Sequence, residues 1–104
     1  MWLETKEMSD WAYYYCRYKE DKPEVRKYIT DSQPAFWYCR YIKDDPEIRK
    51  NITDPQWSYY YCKFIEDKSE IRKNIITSDD SYWYCLDVKD RPEIRKYIKE
   101  DECG

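Results

Sequence analysis

The chain has 104 residues, with 19 Lys and Arg against 22 Asp and Glu for a formal charge of −3. That length suits one domain, and so small a net charge selects neither a nucleic-acid partner nor an acidic decoy role. Its 20 aromatic residues (13 Tyr, 5 Trp, 2 Phe) outnumber its 14 Ile, Val and Leu, which supplies large core-forming side chains and argues against intrinsic disorder. There is no histidine and the only glycine is Gly104, so imidazole dyads and triads, His-ligated metals, glycine-rich phosphate loops and the nucleophile elbow are all excluded.

No apolar run approaches the roughly 18 residues of a membrane span, and Met1-Trp2-Leu3-Glu4 lacks the basic start and apolar stretch of a secretory signal. A cytoplasmic location with reduced thiols is expected.

Cys16, Cys39, Cys62 and Cys85 are separated by 23 residues each time, and their neighbours recur in step. This is an internal repeat, with copies at about 9–31, 32–54, 55–77 and 78–100 of a single domain 1–104. The first helix of each copy is predicted to run from about five residues before the cysteine to about four after it. At about 100° per residue one face holds Ala12, Cys16 and Lys19, and its counterparts are Ala35, Cys39 and Ile42, then Ser58, Cys62 and Ile65, then Ser81, Cys85 and Val88. Small residues there permit close helix approach. Aromatic residues occupy nearly every other direction, so these helices are expected to be sandwiched between neighbours.

The second helix of each copy opens at Asp21-Lys22-Pro23-Glu24, and at the matching Asp44 to Glu47, Asp67 to Glu70 and Asp90 to Glu93. Asp followed three residues later by Glu reads as a capping box, with Pro23, Pro46 and Pro92 (Ser69 in copy three) in the first turn. Apolar pairs follow at Val25/Ile29, Ile48/Ile52, Ile71/Ile75 and Ile94/Ile98, which predicts helices of about three turns. Asp31-Ser32, Asp54-Pro55 and Ser78-Asp79 mark the start of the next copy. The fold class is all-α, with four two-helix repeats of 23 residues stacked as a small α-solenoid.

The segment D-x-P-E-[VI]-R-K-x-I resembles the second helix of HEAT-type repeats, and at this short period it is similar to leucine-rich-variant repeats, over residues 9 to 100. The resemblance implies a scaffold or binding surface, with a few relatives acting on DNA bases. It also implies that the arginines pair with carboxylates of a neighbouring copy.

Three groups of residues are candidates for function. Thiolates bind metals well, but equivalent atoms of stacked helices lie about 8 to 10 Å apart, too far for the shared ligation or the disulfide that needs alpha carbons within about 7 Å. The cysteines are therefore read as buried thiols and Cys103 as an exposed one, and neither metal nor cofactor is expected. Arg26, Arg49, Arg72 and Arg95, with Lys27, Lys50, Lys73 and Lys96, form a basic ladder. It is read either as a phosphate-tracking stripe or, preferably, as inter-repeat charge pairing.

The third group is the aromatic strip opposite the cysteines: Trp11, Tyr14 and Tyr18; Trp37 and Tyr41; Trp57, Tyr60 and Phe64; and Trp83. More rings are present than four copies can enclose, and Tyr and Trp dominate binding hot spots. Trp37, Tyr41, Tyr60, Phe64 and Trp83 are the expected partner-binding residues. The expected function is a non-enzymatic adaptor or inhibitor that occupies another protein's surface, as a monomer or an end-to-end dimer. The alternative is a nucleic-acid binder using the Arg and Lys ladder with Tyr and Trp stacking. Abundant Tyr, Lys, Ile, Asn and Asp point to an AT-rich source such as a phage or mobile element.

Overall fold

The computed structural model describes residues 5–99. Among them lie eight helices and no strand, a long and a short helix alternating: α1 (Thr5–Tyr18), α2 (Pro23–Arg26), α3 (Ser32–Tyr41), α4 (Pro46–Arg49), α5 (Pro55–Phe64), α6 (Ser69–Arg72), α7 (Ser78–Asp87) and α8 (Pro92–Arg95). They fall into two compact units with the boundary between Ile52 and Thr53. In the first, α1 packs on α2 and α3, and α3 on α4; in the second, α5 packs on α6 and α7, and α7 on α8.

Each long helix starts further from its cysteine than the spacing predicts and ends sooner, because a fixed local device closes it. The carbonyl of the residue just before the cysteine accepts two amides, as where Ile42 and Lys43 both donate to Tyr38 at 2.9 and 3.0 Å. Tyr15, Tyr61 and Tyr84 do the same. The C-cap residues Ile42, Ile65 and Val88 keep φ between −116° and −109°. No described residue has positive φ, which is how the turn forms without glycine.

The short helices correct two expectations. They are single α-turns of four residues, not three turns. After Arg26 the ladder tightens to i−3 bonds, Tyr28 to Val25 at 3.0 Å and Ile29 to Arg26 at 2.9 Å, and the same step recurs in the other copies. This brings Val25 and Ile29 together into the core, and Ile29, Ile52 and Ile75 are each 1 % exposed.

The predicted capping boxes at Asp21, Asp44, Asp67 and Asp90 do not form. Each short helix starts at Pro23, Pro46, Ser69 or Pro92, so its N-cap is Lys22, Asp45, Lys68 or Arg91, one residue after the predicted aspartate. Only Asp45 caps with its side chain, accepting from Glu47 N at 2.8 Å and Ile48 N at 3.3 Å. The aspartate one residue earlier turns to the arginine five residues on instead: Arg26 Nε to Asp21 at 2.9 Å, Arg49 Nε to Asp44 at 3.1 Å, Arg72 Nη1 to Asp67 at 2.7 Å and Arg95 Nε to Asp90 at 2.8 Å.

The core follows from the same positions in every copy. Ala12, Ala35, Ser58 and Ser81 are fully buried, the small residues at the closest helix contact, and Cys16, Cys39 and Cys62 lie beside them. Cys85 is only half-buried, a departure from the fully buried ladder that is expected.

These assignments predict two stability changes. Ile75→Ala should lower unfolding free energy by about 2 to 4 kcal/mol by leaving a cavity. Lys68→Asp should raise it by about 1 kcal/mol by supplying the side-chain cap that copy three lacks. Urea melts followed by circular dichroism check both.

Candidate functional site

In the first unit the aromatic strip is a connected group. Tyr13 is buried, and its ring lies 5.4 Å from Trp37, which reaches to within 6.2 Å of Tyr14. Tyr14 stacks on Tyr18 at 6.3 Å and 13°. The guanidinium of Arg17 bridges the two helices, 5.2 Å over Tyr18 and 4.7 Å over Tyr41, while its Nη1 donates to the Tyr13 hydroxyl at 2.7 Å. Tyr14, Tyr18 and Tyr41 are exposed, and Trp37 is half-buried. Tyr13, Tyr14, Arg17, Trp37 and Tyr41 line a shallow depression.

In the second unit Tyr60 is half-buried, 5.3 Å from Trp57 and 6.1 Å from Phe64. Lys63 lies over Phe64 at 5.2 Å. Trp83 rests edge-on against Tyr82 at 5.2 Å. Phe64 and Trp83 remain 44 % and 48 % exposed. Trp37 and Tyr41 thus share one surface in the first unit, and Tyr60 and Phe64 share one in the second.

The basic ladder divides by residue type. All four arginines hold the aspartate of their own copy, whereas the resemblance implies partners in a neighbouring copy. The lysines Lys27, Lys50, Lys73 and Lys96 are exposed. Lys50 pairs with Glu47 at 2.8 Å, and Lys27 and Lys96 lie over the rings of Tyr28 and Tyr97. Between α2 and α4 runs an open groove of about 450 Å³, lined by buried Ile29 and Ile48 and by Lys27, Lys50 and Glu47.

What the sequence reading missed is the second partner of those aspartates. Tyr38 donates its hydroxyl proton to Asp21 of the preceding copy at 2.7 Å. Tyr84 donates to both oxygens of Asp67 at 2.9 and 2.8 Å, and Arg91 adds Nε to the Tyr84 hydroxyl at 2.8 Å and Nη2 to Asp67 at 3.2 Å. Tyr38, Tyr61 and Tyr84 are all 0 % exposed. The signal was available, because a tyrosine immediately before each cysteine and an aspartate five residues after it recur in all four copies. Another phenol, Tyr59, donates to Asp87 at 2.6 Å, where Lys63 also reaches at 3.4 Å.

These bonds shift the acidities. Burial raises Tyr38, and its bond to Asp21 adds to that. Burial and the bond to Asp67 push Tyr84 up to about 12. Burial would raise Asp67 too, but hydrogen bonds from Tyr84, Arg72 and Arg91 hold it below the usual carboxylate range. Burial pushes the thiols of Cys39 and Cys62 up to about 12 and raises those of Cys16 and Cys85. A thiol held protonated is a poor nucleophile and a poor ligand, and among the described residues no three Cys, Asp or Glu side chains converge on one point. Cys103 lies outside the described residues. No helix among them is long and apolar enough to cross a membrane.

No protein-family model matches the chain, and no curated protein or solved structure matches it.

The shifts predict the pH range of stability. The depressed Asp67 contributes stability that is present above the unfolded carboxylate value of about 3.9 and is lost as pH falls through the lower folded value. The raised Tyr84, Cys39 and Cys62 contribute stability that is complete below the unfolded values, about 8.5 for Cys and 10 for Tyr, and is lost as pH rises toward 12. The melting temperature should therefore be flat between about pH 5 and 8 and fall on both sides. Part of the tyrosinate absorbance should appear only with unfolding, whereas full tyrosine titration in the folded protein would contradict the assignment.

Proposed function

We propose that the four copies stack as an α-solenoid, and that the protein is a non-enzymatic adaptor or inhibitor occupying the surface of a partner protein through its aromatic face. The carrying observation is the i, i+4 spacing of rings on the long helices, Tyr14 and Tyr18, Trp37 and Tyr41, and Tyr60 and Phe64, of which Tyr14, Tyr18, Tyr41 and Phe64 are exposed and Trp37 and Tyr60 half-buried. Aromatic area of this kind on a protein surface is characteristic of a face that a partner covers. Arg17 and Lys63 lie over the rings and keep the face amphipathic, as interface rims are. Unpaired thiols support a reducing, cytoplasmic setting.

A partner identified by cross-linking in the native source provides the test. Tyr41→Ala, Phe64→Ala and Trp83→Ala should each weaken its binding by about 2 kcal/mol or more while leaving the melting temperature nearly unchanged. Affinity should change little with salt. If binding instead collapses between about 50 and 200 mM salt and follows Lys27, Lys50, Lys73 and Lys96 rather than the rings, the nucleic-acid alternative replaces this reading.

A further inference from the structure

Adjacent copies within each unit are joined by one recurring bond: the tyrosine before the cysteine gives its proton to the aspartate of the copy before it, as Tyr38 does to Asp21 and Tyr84 to Asp67. Every copy therefore carries a phenol donor on one side and a carboxylate acceptor on the other. The donor at the first copy and the acceptor at the fourth have no such mate among the described residues. The donor of the first copy, Tyr15, is half-buried where Tyr38, Tyr61 and Tyr84 are sealed, and no carboxylate reaches its hydroxyl. Lys22 stands 5.3 Å over its ring, at the position in the repeat where Arg91 serves Tyr84. The acceptor of the fourth copy, Asp90, holds Arg95 at 2.8 Å with side chains 62 % and 54 % exposed, against 22 % and 16 % for the Asp67–Arg72 pair that Tyr84 covers. No tyrosine reaches it.

The apolar surroundings differ in the same sense. Beside Tyr15, the Trp11 ring lies at 5.3 Å and is 43 % exposed. In the fourth copy Tyr82 and Cys85 are half-buried at positions where Tyr13, Phe36 and Tyr59, and Cys16, Cys39 and Cys62, are buried. One face thus lacks an acceptor and the other a donor, and two joints of the same chemistry already exist within the chain.

We infer that the Tyr15 face of α1 docks on the Asp90 face of α7 and α8 of a second copy of this chain. Tyr15 donates to Asp90 across the contact, with Lys22 supporting the phenol and Arg95 the carboxylate. The contact is head-to-tail, so each added chain presents a fresh face and association proceeds until a ring closes or a row extends. This inference is independent of the aromatic-face reading, because neither Tyr15 nor Asp90 belongs to that group.

Sedimentation velocity of the 104-residue chain from about 10 µM to about 1 mM tests it, a range that spans the affinity of a small contact. Mass should rise with concentration above that of a monomer. Tyr15→Ala, which removes the donor, and Asp90→Lys, which removes the acceptor and sets an ammonium against Lys22, should each stay at 13.1 kDa. Mixed together they should form a 1:1 dimer that grows no further, since the first variant retains an intact Asp90 and the second an intact Tyr15. Circular dichroism confirms that each is folded; if either is not, Tyr15→Phe and Asp90→Asn replace them, each expected to weaken association about tenfold. A wild-type chain monomeric throughout overturns the proposal. So does association that the variants leave unchanged.

Discussion

A buried tyrosine hydroxyl without an acceptor costs about 1 to 3 kcal/mol, and this chain buries such a phenol in copy after copy. Tyr38 and Tyr84 can sit where they do because an aspartate of the preceding copy waits at that point. The aspartate is in turn held there by the arginine five residues on. The requirement sets the register between neighbours, since sliding one copy by a residue would strand both phenol and carboxylate. It also explains why Arg and Lys differ although they are adjacent in sequence. The planar fork of Arg serves a carboxylate that also accepts a phenol, whereas the lysine side chain keeps its ammonium in water.

A second joint varies from place to place, which marks it as the weaker constraint. Tyr59 donates to Asp87, which Lys63 also holds, while the equivalent Tyr13 accepts from Arg17 of its own helix and packs its ring on Trp37. Copy two carries Phe36 there and needs no polar partner. Three solutions at one position show that the shape of a large flat ring is what the contact requires, and that the hydroxyl is satisfied by whatever lies near.

The repeat, the helical class and the Ile-based core were legible because they rest on periodicity, and Cys16 to Cys85 never slip from their spacing. The roles of the acidic residues were not, because a capping box and a tertiary carboxylate share the same spacing. Where the helix starts decides between them: with Pro23 at N1 the N-cap is Lys22, which releases Asp21 for Arg26 and Tyr38, and with Ser69 at N1 the N-cap is Lys68, which leaves Asp67 to Arg72 and Tyr84. Helix length failed for a related reason. The Val25 and Ile29 spacing fits a continued α-helix as well as one turn followed by i−3 bonds, and only the chain's return toward the next copy selects the second. Angle around the helix, by contrast, was informative. Residues two before and two after the cysteine lie about 200° from it, on the side where Tyr14, Tyr18, Tyr41, Phe64 and Trp83 are exposed.

That outward side follows from how the inward side is built. A repeat sealed by leucine could leave its outer positions to charged residues, but here the joint is phenolic and the rings flank one another along the helix, so an outer ring supports an inner one. Trp37 braces Tyr13, and Tyr60 lies against the buried Tyr59 at 5.3 Å. The rings directly on those braces are half-buried, and the ring four residues further along, Tyr41 or Phe64, is the more exposed. Structural need therefore accounts for the inner members of each pair and falls off toward the outer ones. Tyr18 and Tyr41 meet Arg17 on an exposed face where water weakens the cation–π contact and leaves its stabilisation small. This is less than the roughly 1.5 to 3 kcal/mol gained when a large apolar side chain is fully buried. The outer rings thus hold binding energy that the fold leaves unspent, and a partner that covers them would draw on it without disturbing the phenol–carboxylate joints beneath.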